Sequence, residues 1–583
     1  MGTGFTIDTP LKVARFGISS VVSLVDDGLL EQMRRHVSEQ QALPYEPIEA
    51  DDEDARARRT TAYLDLLNDL VRDQVDKLRE EPFGPDAEIG KYFEMLPPSP
   101  PKSLYFEMLA AADGPTRDGL QARLRRAILP GAIDVNIMTK VDRDRYRDGE
   151  PLAPRFSDAL SSLRGFVRSG LRSSVVLSAG MNRRLFSHMA EFSDFYPDER
   201  GELRKRITLK VSDYRSALVQ GKLLARLGLW VSEYRVESGL NCGGHAFGGR
   251  GRLLGPILDE FRRERERFIE GLREVRQRAL AALGRSAGAD AEPVRITVQG
   301  GIGTAEEDRM LREQYGVDGT GWASPFLLVP EAVNIDAAHL RRLAAAGEED
   351  IVLSEASPLG VPFWILRDSE SEIGRREAVA RGRPGSSCPK GFLASNTEFT
   401  RVPICTASRA YQRRKLRQIA ASDLQEAKTD DLRRGVEAKA CLCRDLAGSV
   451  TVPCGIEPAT RTAVCCGPNL AYFSRVATLR EMTDHIYGRA RLPVQENRPH
   501  VFLKELALHL DRLRAEFERR RQGVSAAAES ASDETQENLR LGLAHYRALA
   551  ARMVGQRRTA FVARLEALAA ELERLAPVPS IAP

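Results

Sequence analysis

At 583 residues the chain exceeds what one hydrophobic core usually supports, so two or three domains are expected. Hydrophobic residues at 42% and charged residues at 29% are ordinary for a globular protein, and a net charge of +4 over interspersed acids and bases leaves no footprint for nucleic acid. No apolar run reaches the roughly 18 residues of a membrane span, and no charged-then-apolar leader opens the chain, so a cytoplasmic protein without membrane contact is expected.

The opening MGTGFT formally fits a myristoylation pattern, but Phe5–Val13 reads better as entry into a first strand. Residues 11–25 then pass from a short apolar strand through a Gly17-Ile18-Ser19 turn into a helix start. Arg15 stands there either to hold an anion or as a salt-bridged rim residue. Within residues 40–130, Asp51–Arg59 is a charge run on a solvated face. Leu64, Leu67, Val71, Val75 and Leu78 recur at the spacing of an amphipathic helix, and Leu96–Pro101 is a rigid, extended linker. This segment serves as a lid or as a dimer contact.

Ala132–Met138 and Ser173–Ala179 read as strands, followed by Ile207–Val211. Asn136 ends the first of these with an amide that both donates and accepts. Lys210 ends the third, where it either faces a ligand's negative charge or pairs with Asp213. Three further stretches follow: VESGLNCGGHAF (236–247), VRITVQGGIGTAEE (294–307) and GVDGTGWASPFLLVPEA (316–332). Each joins a β-prone run to a glycine or polar residue at its C-terminal end, and helical segments separate them. In a parallel β/α barrel those ends face the active site. Gly300 and Gly301 form a phosphate cradle, since glycine lets backbone N–H groups approach an anion. His245, after Gly243 and Gly244, would lie beside whatever carries that phosphate.

The expected fold class is α/β, a parallel (β/α)8 TIM barrel with a helical insertion and an α-helical C-terminal extension, its eightfold closure implied by the family resemblance given below. The barrel starts in 1–39, is interrupted by the insertion 40–130 and resumes over 131–370. A cysteine-rich segment occupies 371–490 and a helical hairpin 491–583. Of the 8 cysteines, all but Cys242 lie between Cys388 and Cys466. Without a secretory signal, such clustering points to metal more often than to disulfides. The spacing lacks paired C-x-x-C units, which argues against a zinc ribbon. Cys388, Cys405, Cys441, Cys443 and Cys465 are the candidate metal ligands, suited to an iron–sulfur cluster; buried free thiols are the alternative. In the last segment Leu506, Leu510, Leu513 and Phe517 form one apolar stripe. Phe561, Leu565, Leu568, Leu572 and Leu575 form another, with a Ser/Ala/Glu loop over Gly523–Glu537 between them.

The run NCGGHAF resembles the glycine-glycine-histidine signature of nitronate monooxygenases, the 2-nitropropane dioxygenase-like FMN enzymes. VQGGIGT is similar to that family's phosphate strand, and GVDGTGWASPFLLVPEA to the strand that follows it. VNIM (135–138) and LKV (209–211) fall in the family's order, so the resemblance spans roughly residues 8–370 apart from the insertion. It implies FMN held by Asn136, Lys210, Gly243, Gly244, Gly300, Gly301, Ala323 and Ser324. It further implies His245 as base toward a carbon acid, with Lys210 and Cys242 beside it. Arg15-Phe16, Asn241-Cys242 and Ala323 depart from the family's usual residues. Ser387-Cys388-Pro-Lys-Gly391 also looks like the cluster sequence of glutamate synthases. The function implied is an FMN-dependent oxidoreductase acting on an activated carbon acid. The alternatives are an iron–sulfur flavoprotein passing single electrons and a non-catalytic binding or assembly module. A small-molecule substrate, an electron-donor protein or nicotinamide cofactor, and a homo-oligomer complete the expectation.

Overall fold

The computed structural model describes residues 3–178, 180–285, 293–458, 461–524 and 529–575. Its centre is a sheet of seven parallel strands: β1 (Ser20–Ser23), β2 (Ile133–Ile137), β3 (Ser174–Leu177), β4 (Arg206–Val211), β5 (Val231–Glu237), β6 (Arg295–Gln299) and β7 (Gly319–Gly321). They lie side by side in chain order. Helices intervene between β2 and β3 (Asp158–Arg168), β4 and β5 (Tyr214–Arg226), β5 and β6 (Leu254–Ala282) and β6 and β7 (Ala305–Tyr315).

Side chains alternate across a strand, and here the alternation sorts chemistry. Val135, Ile137, Val175, Leu177, Ile207, Leu209, Tyr234, Val236, Ile296 and Val298 are buried on the helix-covered face. Tyr234 meets Phe268 of Leu254–Ala282 edge-on, ring centroids 4.9 Å apart. The opposite face carries Asp134, Asn136, Thr208, Lys210, Glu233, Arg235, Glu237, Thr297 and Gln299, kept level by the strand register.

The expected closed eight-stranded (β/α)8 barrel is not the fold. Among the described residues neither β1 nor β7 has a second partner, so the sheet is an open half-barrel. Two further strands, β8 (Ile351–Ser354) and β9 (Phe363–Leu366), do follow, but they pair antiparallel with each other. A hairpin closes a short loop, whereas an eighth barrel strand must close one spanning most of the chain. The seam is spanned otherwise. Residues expected as a strand form the helix Thr9–Val13, with proline in its first turn. Asn334 N–H donates to the Phe5 carbonyl (2.8 Å). The Thr9 hydroxyl donates to the Ala332 carbonyl and the Lys12 ammonium to Asn334 Oδ1, both at 2.7 Å. The N-terminal segment thereby ties the stretch after β7 to the stretch before β1.

The insertion is helical as expected, over Ala55–Glu80, Glu88–Met95, Pro100–Ala110 and Pro115–Ala127. The prolines read as a linker instead start the helix Pro100–Ala110. The long helix runs down the flank of the sheet: Arg56 donates to the Leu24 carbonyl beyond β1 (3.2 Å), and Arg79 donates to Ile128 ahead of β2 (2.7 Å). Cys388, Cys405 and Cys443 pack in one small apolar cluster, while Cys454 packs against the main core. The C-terminal extension holds three helices, Val501–Arg521, Glu529–Ala550 and Gly555–Arg574, where two were expected. Residues 525–528 of the expected loop lie outside the described residues, as do Met1 and Gly2 of the myristoylation pattern. No helix among the described residues is long and apolar enough to cross a membrane.

Gly221 shows how tightly the outer layer seats. A Cβ there would lie 2.3 Å from Tyr234 Oη and 3.2 Å from Leu272, whereas at Gly271 it would meet nothing within 4 Å. Gly221→Ala is expected to destabilise by about 1–3 kcal/mol through overpacking. Gly271→Ala should be neutral or gain up to about 1 kcal/mol from helix propensity. Denaturant unfolding of both variants beside the parent checks the contrast.

Candidate functional site

The C-terminal ends of β4 to β7 gather most of the singled-out residues. Lys210 and Glu237 occupy neighbouring strand ends on the polar face, and their charged groups are 2.8 Å apart. Gln299 Nε2 donates to the other Glu237 oxygen at 2.7 Å. Burial alone would raise the Glu237 carboxyl, but the Lys210 charge and hydrogen bond overcome it and hold it below the ordinary carboxylate range. Lys210 therefore does not pair with Asp213, which instead caps the helix Tyr214–Arg226 by accepting from Ser216 N–H (2.7 Å). Lower on the same face, Arg235 and Thr297 both reach Glu233, at 2.8 Å and 2.6 Å. Burial holds the Asp134 carboxyl up at about 6.

Asn136 is 5% exposed, and its Oδ1 is buried without a hydrogen-bond partner among the described residues. It lies two strands from Lys210 and one side-chain layer lower, level with Val176 and Thr208. A buried amide oxygen without a donor is costly. A ligand with an N–H group would relieve it.

Beyond β5 the chain turns sharply. Gly244 has φ +76°, and a Cβ there would lie 2.4 Å from Cys465 Sγ. Gly244 N–H donates to the Cys466 carbonyl (3.1 Å), and the Gly244 carbonyl accepts from Trp364 N–H of β9 (2.9 Å). His245 thus sits between the Cys465-Cys466 segment and the hairpin. Its Nε2 is 2.7 Å from Ser357 Oγ, and its ring lies edge-on to Phe363 at 4.9 Å. Burial, reinforced by the positive charges of Lys140 and Lys210, lowers the imidazole to about 4. His245 is neutral throughout the physiological range. Cys242, by contrast, is driven far above an ordinary thiol by burial and then by Glu237, which leaves it protonated and unreactive.

The glycine cradle is only partly open. Gly300 (φ +112°) and Gly301 (φ +78°) adopt conformations that favour glycine. A Cβ at Gly301, however, would meet Asn241 Nδ2 at 2.0 Å. The Gly301 carbonyl accepts from Arg498 at 2.7 Å, and Arg498 is itself paired with buried Glu307 at 2.8 Å. Ser324 faces the Cys466-Gly467 segment rather than open space, since a Cβ at Gly467 would fall 2.6 Å from its hydroxyl. Ala323 beside it is exposed. Arg15 is a rim residue, paired with Glu88 at 3.1 Å.

Sequence reasoning missed Ser357, Arg498, Glu307, Lys140 and Glu505. Only Glu505 had a local signal, an acid on the apolar stripe of Val501–Arg521. Its carboxylate accepts from Ser238 Oγ (2.5 Å) and Leu254 N–H (2.7 Å), and Ser238 Oγ accepts from Asn241 N–H (3.1 Å). The C-terminal helices thereby hold the loop that carries His245.

The cysteines do not assemble as a metal centre. Among the described residues no group of three or more His, Cys, Asp or Glu side chains is arranged to hold a metal ion. Cys465 stands at Gly244 and packs on the same apolar cluster as Cys388, Cys405 and Cys443. The iron–sulfur expectation is therefore corrected: the cysteines gather on one apolar cluster without forming a metal-holding group among the described residues.

No protein-family model matches the chain, and no curated protein does. Among solved structures it is similar to the enoyl reductase domain of MlnA from the macrolactin biosynthesis cluster of Bacillus amyloliquefaciens, at 16% identity and a TM-score of 0.31. That match covers 74% of this chain and 89% of the domain. The resemblance to nitronate monooxygenases does not stand. The closed barrel that the resemblance implies is absent among the described residues, whose parallel sheet is open at both edges.

Burial raises Glu505 to about 7, with its two donors opposing. A carboxyl raised above its unfolded value favours the protonated fold, so its contribution is full below about 4.3 and is lost as pH rises toward 7. Glu505→Gln should flatten the decline of unfolding free energy across that window by up to about 1.4 kcal/mol per pH unit. Urea titrations at several pH values read the slope directly.

Proposed function

We propose that the chain is an FMN-dependent oxidoreductase whose cofactor lies along the polar face at the C-terminal ends of β2 to β7. The observation that carries this reading is Asn136 Oδ1, a buried acceptor without a donor, on the same face as the Lys210 ammonium. One supplies an acceptor and the other a positive charge, which suits the mixed edge of a flavin ring. Gly300 and Gly301, with Ala323 and Ser324, would hold the phosphate.

FMN, when bound, supplies hydride transfer at its N5. His245 holds or moves a proton at the substrate, an activated carbon acid. Its Nε2 is fixed by Ser357 Oγ, and Nδ1 has no partner among the described residues. Glu237 orients Lys210 through their 2.8 Å ion pair. Cys465 bounds the space beside Gly244, while the Phe363 ring covers one side of the histidine.

The purified protein, denatured, should release FMN, or the apo form should take it up. If it does neither, the reading fails. Asn136→Leu should weaken FMN uptake at least roughly tenfold, since it replaces a paired acceptor by an apolar group. His245→Ala should keep the flavin and its reduction by dithionite. Turnover of the substrate should fall by about 10²–10⁴-fold, the usual worth of a positioned proton-transfer group. Because His245 is lowered to about 4, the acid limb of substrate turnover in the parent should lie below pH 5 rather than near 6.5.

A further inference from the structure

The loop between the helices Glu370–Ala380 and Arg409–Ala420 carries two cysteines that the site above does not use. Its ends are drawn together by Ser386 N–H on the Ala407 carbonyl (3.0 Å) and Arg409 N–H on the Ser386 carbonyl (2.8 Å). Asn396 and Ile404 bridge further along. Cys388 packs against the same small apolar cluster that holds Cys405, Leu393, Ala394 and Ala407.

The two differ in what surrounds them. Cys405 is 5% exposed, whereas Cys388 is half-buried and open to solvent on one side. Cys388 has φ +54°, a left-handed backbone uncommon for a residue with a Cβ and found most often where structure is constrained for function. Arg143 donates to the Gly391 carbonyl at 2.6 Å, which sets a guanidinium beside Cys388. Cys443, from the helix Leu442–Thr451, packs on the same cluster, and nearby Lys390 is paired with Asp26 at 2.7 Å.

We propose that Cys388 and Cys405 form a redox pair that exchanges two electrons with small disulfides, Cys388 attacking and Cys405 resolving. The neighbouring Cys405 thiol, helped by Arg143, lowers the Cys388 thiol and favours its thiolate. The same neighbour and burial push Cys405 up, which keeps its proton until Cys388 has reacted. The Cys388 thiolate attacks one sulfur of a disulfide RSSR, forming Cys388–S–S–R and releasing RS⁻, which takes up a proton. Cys405 then loses its proton to water and attacks the Cys388 sulfur, forming the Cys388–Cys405 disulfide and releasing the second RS⁻. Two protein thiols are oxidised and one RSSR is reduced to two thiols.

Full-length protein, reduced and freed of reductant, is exposed to oxidised glutathione and mapped by mass spectrometry. The expected product is a Cys388–Cys405 disulfide with the other cysteines unmodified. In Cys405→Ser the Cys388–glutathione adduct should persist. Iodoacetamide should modify Cys388 in the parent roughly tenfold faster at pH 7 than any other cysteine, as its larger thiolate fraction requires. The parent map decides whether or not the variant folds. Absence of the Cys388–Cys405 disulfide, pairing of Cys388 with Cys441 or Cys443, or an adduct that persists in the parent would each overturn the proposal.

Discussion

A parallel sheet that does not close leaves two demands on the rest of the chain. Its edge strands expose unpaired backbone groups, and one of its faces carries charges that cannot be left to solvent and still form a site. In this protein the N-terminal helix Thr9–Val13 ties the stretch after β7 to the stretch before β1. The Ala55–Glu80 helix runs down the flank beside β1, held by Arg56 and Arg79. The hairpin of β8 and β9, the Cys465–Gly467 segment and the C-terminal helices close over the strand ends. Most of what surrounds the sheet is a consequence of its being open.

The polar face is stable because its charges are paired where they stand. Lys210 with Glu237, Arg235 with Glu233 and Arg498 with Glu307 each bring opposite charges within 2.8 Å. Removing one partner of such a buried pair costs about 3–5 kcal/mol, because the other is left uncompensated. The same pairing sets the chemistry nearby. Positive charges of Lys140 and Lys210 join burial in keeping His245 neutral, and the Glu237 carboxylate joins burial in keeping Cys242 protonated. One arrangement of charge thus separates two neighbours that the sequence offers as equal candidates.

The strands of the sheet after β1 were legible; Ser20–Ser23 folds as β1 where a helix start was expected. Short β-prone runs with alternating character, such as ITLKV and VRITVQ, fold as strands within a residue or two of where they read, and polar residues fall at their C-terminal ends as expected. The helix carrying Leu64, Leu67, Val71, Val75 and Leu78 was equally plain, since helical spacing is local information. Less legible were Phe5–Val13, where proline starts a helix that reads as a strand, and Gly523–Glu537, whose second half is helical from Glu529. Glu505 was visible only as an anomaly on an apolar stripe.

The sequence by itself determined the parallel β/α alternation, the polar residues at strand ends and the glycines that turn the chain beside His245. These depend on period, side-chain size and backbone freedom, all readable within a few residues. Only the tertiary structure decided that the sheet stays open. It also decided that Lys210 pairs with Glu237 rather than Asp213, that Arg498 and Asn241 crowd Gly301, and that cysteines far apart in the chain share one apolar cluster without forming a metal-holding group among the described residues. Each of those outcomes joins residues far apart in the chain, from the 27 positions between Lys210 and Glu237 to the 257 between Asn241 and Arg498. Which long loops close is set by competition among all the surfaces that could be buried together, and no local pattern encodes that competition.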